Sequence, residues 1–150
     1  MTTTPPDATR AHRATPAVLF LCTHNAGRSQ MAMGFFKHLA GDQARVYSGG
    51  SEPADELNPV AIAAMAEKGI NIAAEKPKQW TMDMIEAVDV VITMGCGDSC
   101  PILSARRYEE WVLPDPAGQP LDAIRTIRDE IEQRVQALLG QLGVYAKPGG

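Results

Sequence analysis

The stretch that decides the fold is VLFLCTHNAGRSQMA, residues 18–32. It opens with a short apolar run, reaches a cysteine at position 22, crosses a small polar loop and continues from Arg28 in a helical pattern. An uninterrupted apolar run of this length is typical of a strand that is buried on both faces. The stretch therefore predicts a strand, a tight loop and a helix, with Cys22 where the strand ends.

The rest of the chain repeats this alternation of strands and helices. Apolar runs predict strands at 17–21, 44–48, 87–94 and 108–114. Capping residues and helical spacing predict helices that begin at Arg28, Pro59 and Leu121 and end before Gly41, Gly69 and Gly143. In the second helix, Ile62, Met65 and Ala66 are expected on the inner face. Such alternation favours an α/β fold, in which a four-stranded parallel sheet is flanked by helices on both faces.

Length and composition limit the class of protein. The chain has 150 residues, a net charge of −4 and hydrophobic residues at 45% of its positions. These values suit one globular domain. They argue against binding to nucleic acid and against binding to a membrane. We expect that domain at residues 17–144, between a disordered tail at 1–16 and a flexible tail at 145–150. The odd number of cysteines, three, favours reduced thiols in the cytoplasm over a disulfide framework.

Three chemically versatile residues follow predicted strands. Cys22 follows the first strand, Cys96 the third and Asp115 the fourth. In parallel sheets, functional sites form where the carboxyl ends of the strands meet. The predicted topology therefore brings these three side chains to one edge of the sheet.

The loop after the first strand is suited to bind a tetrahedral oxyanion. Its backbone N–H groups, at the start of a helix, form a concave positive site, and the Arg28 guanidinium can close it with two hydrogen bonds. The same field favours a thiolate at Cys22, and Ser29 can donate a hydrogen bond to the sulfur. The expected anion-binding residues are Thr23, His24, Asn25, Ala26, Gly27 and Arg28.

Other interpretations of the loop stay open at this point. Cys22 can also be a buried cysteine in a tight turn, with Arg28 on a solvated helix start. His24 either contacts the ligand or tunes Cys22, or it faces solvent, whereas Asn25 is expected to brace the loop through hydrogen bonds to its backbone. The GxxxxGK[ST] pattern of an ATP-type phosphate loop does not occur here.

The segment CTHNAGRSQMA, residues 22–32, resembles the active-site loop of arsenate reductases built on the low-molecular-weight tyrosine phosphatase fold. The likeness extends over residues 17–143. Phosphatases of this fold usually carry Ser-Pro after the arginine, whereas this chain carries Ser29-Gln30. In this respect it is similar to the reductase branch.

The resemblance implies a thiol relay. Cys22 attacks arsenate, and Asp115 acts as a general acid that protonates the departing oxygen. Cys96 then attacks Cys22, which releases arsenite. Cys100 attacks Cys96, which moves the disulfide outward for reduction by an external thiol system such as thioredoxin.

The two later cysteines lie in TMGCGDSCP, residues 93–101. On a helical turn their Cα atoms would lie about 6 Å apart, within disulfide range. Their spacing is shorter than in well-known thioredoxin-coupled relatives and looks like that of actinobacterial relatives that can use mycothiol. Thioredoxin, or mycothiol with mycoredoxin, is therefore the expected donor. Zinc binding, for which a fourth ligand at suitable spacing is missing, and inert core cysteines are the alternatives.

Two positions bear on the ligand. Phosphatases of this fold usually carry a tyrosine after their Asp-Pro, where this chain has Ala117, which favours a small inorganic oxyanion over phosphotyrosine. Family members that hold potassium near the loop carry a glutamate where this chain has Met33. We therefore expect no tight potassium site, no other metal and no cofactor.

Arsenate reduction is the leading functional hypothesis, with arsenic detoxification as its role. The alternatives are a low-molecular-weight tyrosine phosphatase and a non-catalytic sensor of oxyanions or redox state. The cysteine pair and Ala117 speak against the phosphatase, although weak phosphatase activity is expected because the same loop suits phosphate.

Overall fold

The computed structural model describes residues 15–95 and 107–144. In chain order the elements are β1 (Ala17–Cys22), α1 (Arg28–Ala40), a 3₁₀ turn (Gly41–Gln43), β2 (Arg45–Gly50), α2 (Pro59–Ala66), α3 (Met82–Glu86), β3 (Val90–Met94), β4 (Arg107–Glu110) and α4 (Leu121–Gln141). Cys96, Cys100, the expected C-terminal tail and all but two residues of the expected N-terminal tail lie outside the described residues. No helix in the described ranges is both long and apolar enough to cross a bilayer.

The strands form a parallel sheet in the order β2-β1-β3-β4. The register places Cys22, the last residue of β1, beside Gly50 of β2 and Met94 of β3. Three strands therefore end together around Cys22. The prediction of a four-stranded parallel sheet in an α/β fold is confirmed.

Helices cover both faces of this sheet. Val18 and Phe20 of β1 pack into the larger core, which α1 and α4 complete. Leu19 and Leu21 point to the opposite face, where Ile85 of α3 joins them. Both faces of β1 therefore need apolar side chains, which explains the uninterrupted run in the sequence.

Several boundaries differ from the sequence prediction. β3 begins at Val90 rather than at 87, and β4 ends at Glu110 rather than at 114. Gly49 and Gly50 belong to β2 instead of closing it. Gly50 extends the ladder because it pairs with the end of β1, whereas β4 ends at Glu110 because its partner there, Thr93, is the last but one residue of β3.

The inner face of α2 also differs in part. Ala61, Ala64 and Met65 are buried, Ile62 is half-buried and Ala66 is exposed. The prediction is wrong for Ala66. This residue lies about 100° around the helix from Met65, beyond the stripe that the other buried positions form.

Glu67, the residue after α2, connects α2 to α4 through two arginines. Its carboxylate accepts hydrogen bonds from Arg125 Nη2 (2.6 Å) and Arg128 Nη1 (2.7 Å). Hydrogen bonds from Arg125 first, and then from Arg128, lower the pKa of Glu67 from 4.5 to about 2. Because the folded pKa lies below the unfolded one, the carboxylate stabilises the fold above pH 4.5, and this contribution is lost as the pH falls toward 2.

We expect Glu67→Gln to lower the Tm at neutral pH, and we expect its difference from wild type to shrink as the pH falls below about 4.5. Thermal unfolding followed by circular dichroism at a series of pH values measures this. Glu130→Gln is the matched control, because Glu130 pairs with Arg134 along one helix and connects no second element. A Tm difference for Glu67→Gln that is unchanged in acid contradicts the assignment.

Candidate active site

Cys22 lies at the floor of a cavity of about 370 Å³ at the carboxyl edge of the sheet. The residue is only 2% exposed, and it is a free cysteine. The cavity is also lined by His24, Ala26, Gly27, Arg28 and Asp115, and by the segment around Asn58. The structure thus brings together residues that the sequence places almost a hundred positions apart.

The backbone of the loop between β1 and α1 is held from outside. Three of its carbonyls accept hydrogen bonds from N–H groups of the segment after β2: Thr23 from Glu52 (2.8 Å), His24 from Ala54 (3.0 Å) and Ala26 from Asn58 (2.9 Å). A trans peptide carries its N–H opposite its carbonyl. The N–H groups of His24, Asn25 and Gly27 therefore point the other way, and within the described residues none of them donates to a backbone carbonyl.

These N–H groups and those of the first turn of α1 are backbone donors of the kind that bind anions. The first N–H groups of a helix lack intrahelical partners and carry partial positive charge. The loop adds further donors on the same concave side, an arrangement that suits a tetrahedral oxyanion. Cys22 lines the same cavity as this loop and the start of α1.

A series of hydrogen bonds lies behind Cys22. The backbone N–H of Lys78 donates to Asn25 Oδ1 (2.9 Å), so the other side-chain atom of Asn25 must be the amide nitrogen, Nδ2. That nitrogen donates to Ser29 Oγ (2.7 Å). Ser29 Oγ, which accepts this hydrogen bond, lies 2.9 Å from Cys22 Sγ, within hydrogen-bonding distance of the sulfur.

Asn25 supports the loop through its backbone as well as through its side chain. It is fully buried and has a φ of 51°, in the left-handed region that asparagine tolerates better than most residues. Behind it, a Cβ on Gly50 would lie 2.6 Å from the Thr23 carbonyl oxygen. Glycine at position 50 therefore lets β2 approach the loop closely.

Arg28, the first residue of α1, presents its guanidinium to the same cavity. It is 6% exposed, and Nη1 donates to the Leu113 carbonyl (3.2 Å), while Nη2 lies 3.9 Å from Asp115 Oδ1. Its buried Nε has no hydrogen-bond partner among the described residues. Among the described residues, one hydrogen bond, to the Leu113 carbonyl, therefore fixes the guanidinium.

Gly95, directly after β3, leaves room for this guanidinium. A Cβ at Gly95 would lie 2.4 Å from Arg28 Nη1, and the residue has a φ of 86°.

We expect Gly95→Ala to displace the Arg28 side chain and to lower the kcat/KM of the protein about 100-fold, because a misplaced binding group lowers the rate by about that factor. Steady-state kinetics measure this. Gly69→Ala is the matched control: its φ is 77°, but a Cβ there meets nothing within 4 Å. Equal activities of the two variants contradict the prediction.

Asp115 stands at the rim of the cavity, with 54% of its side chain exposed. Its Oδ1 accepts a hydrogen bond from the Ala117 backbone N–H (3.0 Å), which fixes the turn. Pro116 is buried against the loop, since a Cβ on Gly27 would lie 2.7 Å from Pro116 Cγ. The carboxyl group therefore lies at the rim of the cavity that Cys22 and Arg28 also line.

The predicted site residues take three different positions. Cys22, Arg28, Asp115 and the loop residues His24, Ala26 and Gly27 line the cavity, with His24 exposed. Asn25 and Ser29 lie behind it, in agreement with a bracing role for Asn25. Thr23 donates its hydroxyl to the Gly95 carbonyl (3.1 Å), so its side chain connects two loops. Cys96 and Cys100 lie outside the described residues.

Sequence reasoning missed several supporting residues. The loop is held by hydrogen bonds from Gln30 and from the segment 52–58, and two glycines, Gly50 and Gly95, make room for the loop and for Arg28. In the sequence, only the pair Gly49-Gly50 indicated that β2 approaches another part of the backbone closely. Met33 packs in the core of the domain. In the described ranges, no group of three or more histidine, cysteine or carboxylate side chains is placed to hold a metal ion.

A comparison with known protein families agrees with the structure of this site. The features concerned are the order of the strands, the loop before α1 and the cysteine at its base. The model for low molecular weight phosphotyrosine protein phosphatase matches residues 17–146, and the chain belongs to this family.

Within the family, the chain is similar to arsenate reductases. It is 40% identical over 124 residues to arsenate reductase 2 of Staphylococcus haemolyticus, and this match covers 80% of this chain and 93% of that protein. It is 38% identical over 128 residues to the glutaredoxin arsenate reductase of Synechocystis, with coverage of 83% and 97%. The solved structure of the thioredoxin-dependent arsenate reductase of Corynebacterium glutamicum superposes with a TM-score of 0.74 at 38% identity, covering 91% of this chain and 70% of that one.

Proposed function

We propose that the chain is an arsenate reductase that converts arsenate to arsenite with Cys22 as its nucleophile. The observation that carries the proposal is the series of hydrogen bonds that joins Asn25, Ser29 and Cys22 Sγ, in a cavity that Arg28 also lines. This arrangement holds an oxyanion and a thiolate within reach of each other. The names of the similar proteins decide between arsenate and other oxyanions.

The first step forms a bond between Cys22 and arsenic. The thiolate attacks the arsenic of bound arsenate, and one arsenate oxygen leaves as water after it takes a proton from Asp115. The loop N–H groups and Arg28 hold the remaining oxygens and stabilise the charge that develops on them. Arsenic is still in its pentavalent state after this step.

The second step is the reduction. The Cys96 thiolate attacks Cys22 Sγ, a sulfur–sulfur bond forms, and the electron pair of the sulfur–arsenic bond passes to arsenic, which leaves as arsenite. Cys100 then attacks Cys96, which frees Cys22 and leaves a Cys96–Cys100 disulfide. A dithiol donor of the thioredoxin or glutaredoxin type returns two electrons to that disulfide. We place this cycle in the cytoplasm, where thiols are kept reduced.

The test combines purified protein with arsenate, NADPH and one donor system at a time. Arsenate-dependent NADPH oxidation with thioredoxin and its reductase, or with glutaredoxin and glutathione, supports the proposal, and a mycothiol arm decides whether that thiol also serves. Release of p-nitrophenol from its phosphate without arsenate turnover would instead identify a phosphatase. Anion binding without any turnover would identify a sensor.

The relay has a separate test. In the thioredoxin-coupled assay, Cys96→Ser and Cys100→Ser are each expected to stop multiple turnover, because each removes one sulfur that must form a disulfide. Mass spectrometry after one equivalent of arsenate should show a Cys22–Cys96 disulfide in Cys100→Ser. Unchanged multiple turnover in both variants refutes the relay and leaves the assignment of Cys22 intact.

A further inference from the structure

Gln30 is a polar residue in an apolar environment. It belongs to the first turn of α1 and is fully buried, and its neighbours in the helix, Met31 and Ala32, pack into the core. Burying a carboxamide costs free energy unless hydrogen bonds compensate for the lost water. A specific set of partners must therefore account for glutamine at this position.

The Gln30 amide nitrogen faces three oxygen atoms. Nε2 lies 3.1 Å from the Asn25 backbone oxygen, 3.1 Å from Asn25 Oδ1 and 3.3 Å from the Lys76 backbone oxygen. Since all three are acceptors, the side-chain atom that faces them must be the donor nitrogen. Oε1 has no partner among the described residues, so the hydrogen bonds of this side chain are concentrated in its nitrogen.

These contacts hold both the backbone and the side chain of Asn25. The bond to the backbone oxygen holds the peptide after Asn25, and therefore the left-handed turn of the loop. Together with the bond from the Lys78 N–H, the bond to Oδ1 holds the side chain in the orientation in which Nδ2 donates to Ser29 Oγ. A change at Gln30 would thus affect Cys22 Sγ by way of the hydrogen bonds that Asn25 makes with Ser29 and Ser29 makes with Cys22.

We propose that Gln30 is a positioning residue for Cys22: its amide orients Asn25, which leaves the Ser29 hydroxyl as a donor to the sulfur. Gln30 lies behind the loop and does not line the cavity around Cys22. The proposal concerns the state of the sulfur and can be tested without arsenate, so its outcome is independent of the proposed reductase activity.

The test uses a protein in which Cys96 and Cys100 are serine, so that Cys22 is the sole thiol. In that background we expect Gln30→Met, which keeps the length of the side chain but has no amide, to lower the ultraviolet thiolate absorbance at neutral pH. The rate of alkylation by iodoacetamide should fall about tenfold, the effect of losing one hydrogen bond that favours the charged form. Unchanged absorbance and alkylation rate overturn the proposal.

A double-mutant cycle separates positioning from general destabilisation. If Gln30 acts through Ser29, then Gln30→Met should change the alkylation rate by less than about twofold in a Ser29→Ala background. Phe36→Leu is the control, because Phe36 lies in the same helix and in the core, away from this network. It should lower the Tm and leave the alkylation rate unchanged. A full tenfold effect of Gln30→Met in the Ser29→Ala background refutes the proposed route.

Gln30→Glu provides a second variant with nearly the same shape, in case the methionine variant is unstable. The introduced carboxylate would face the three oxygens that now accept from Nε2, so it should repel Asn25 and slow alkylation at least as much as Gln30→Met. An alkylation rate equal to that of the parent protein would show that the amide hydrogens are not needed, and would count against the proposal.

Discussion

Cys22→Ser is expected to abolish arsenate-dependent NADPH oxidation, with a loss of at least about 10⁴-fold in kcat/KM. Serine occupies the same place at the end of β1, but its hydroxyl is a weak nucleophile and it cannot form a disulfide. Both the attack on arsenate and the transfer of two electrons need the sulfur.

The control for this variant is anion binding. The loop N–H groups and Arg28 remain in place in Cys22→Ser, so the protein should still bind inorganic phosphate, as calorimetry or phosphorus NMR can measure. Wild-type affinity for phosphate together with lost turnover separates chemistry from binding. Appreciable turnover by Cys22→Ser would mean that another cysteine attacks arsenate, and the proposed mechanism would then be wrong.

Arg28→Lys should lower kcat/KM by about 10³-fold although the charge is kept. The guanidinium of Arg28 is buried, donates to the Leu113 carbonyl and still has donors for an oxyanion. A lysine ammonium is one point charge at the end of a flexible chain, and it cannot make the same planar set of hydrogen bonds. We expect weaker phosphate binding as well as slower turnover.

Arg125→Lys is the matched control for that substitution. The Arg125 guanidinium also donates hydrogen bonds, to the Glu67 carboxylate, but it is half-buried on α4 and does not line the cavity. Its replacement should leave kcat/KM within about twofold of wild type. If the two lysine variants lose activity equally, the planar donor set of Arg28 is not what the reaction requires.

Some features could be predicted because local pattern and tertiary environment agree. The helix at 28–40 has the predicted bounds, because Gly27 precedes it and Gly41, with a φ of 56°, ends it. α3 was not predicted, since its five residues are too few to show a helical period. Only the structure identifies Thr81 as its N-cap, because Thr81 Oγ1 accepts a hydrogen bond from the Met84 N–H (3.1 Å).

By itself, the sequence determined the parallel sheet, the loop with Cys22 and Arg28, and the approach of Asp115 to it. These follow from apolar runs, capping residues and the rule that parallel strands end at one edge, all of which are local or topological. The tertiary structure decided the rest: which way the loop carbonyls face, how Arg28 fits beside Gly95, and that Gln30 serves Asn25. These depend on hydrogen bonds and close approaches between residues distant in the chain, which no periodicity in the sequence records.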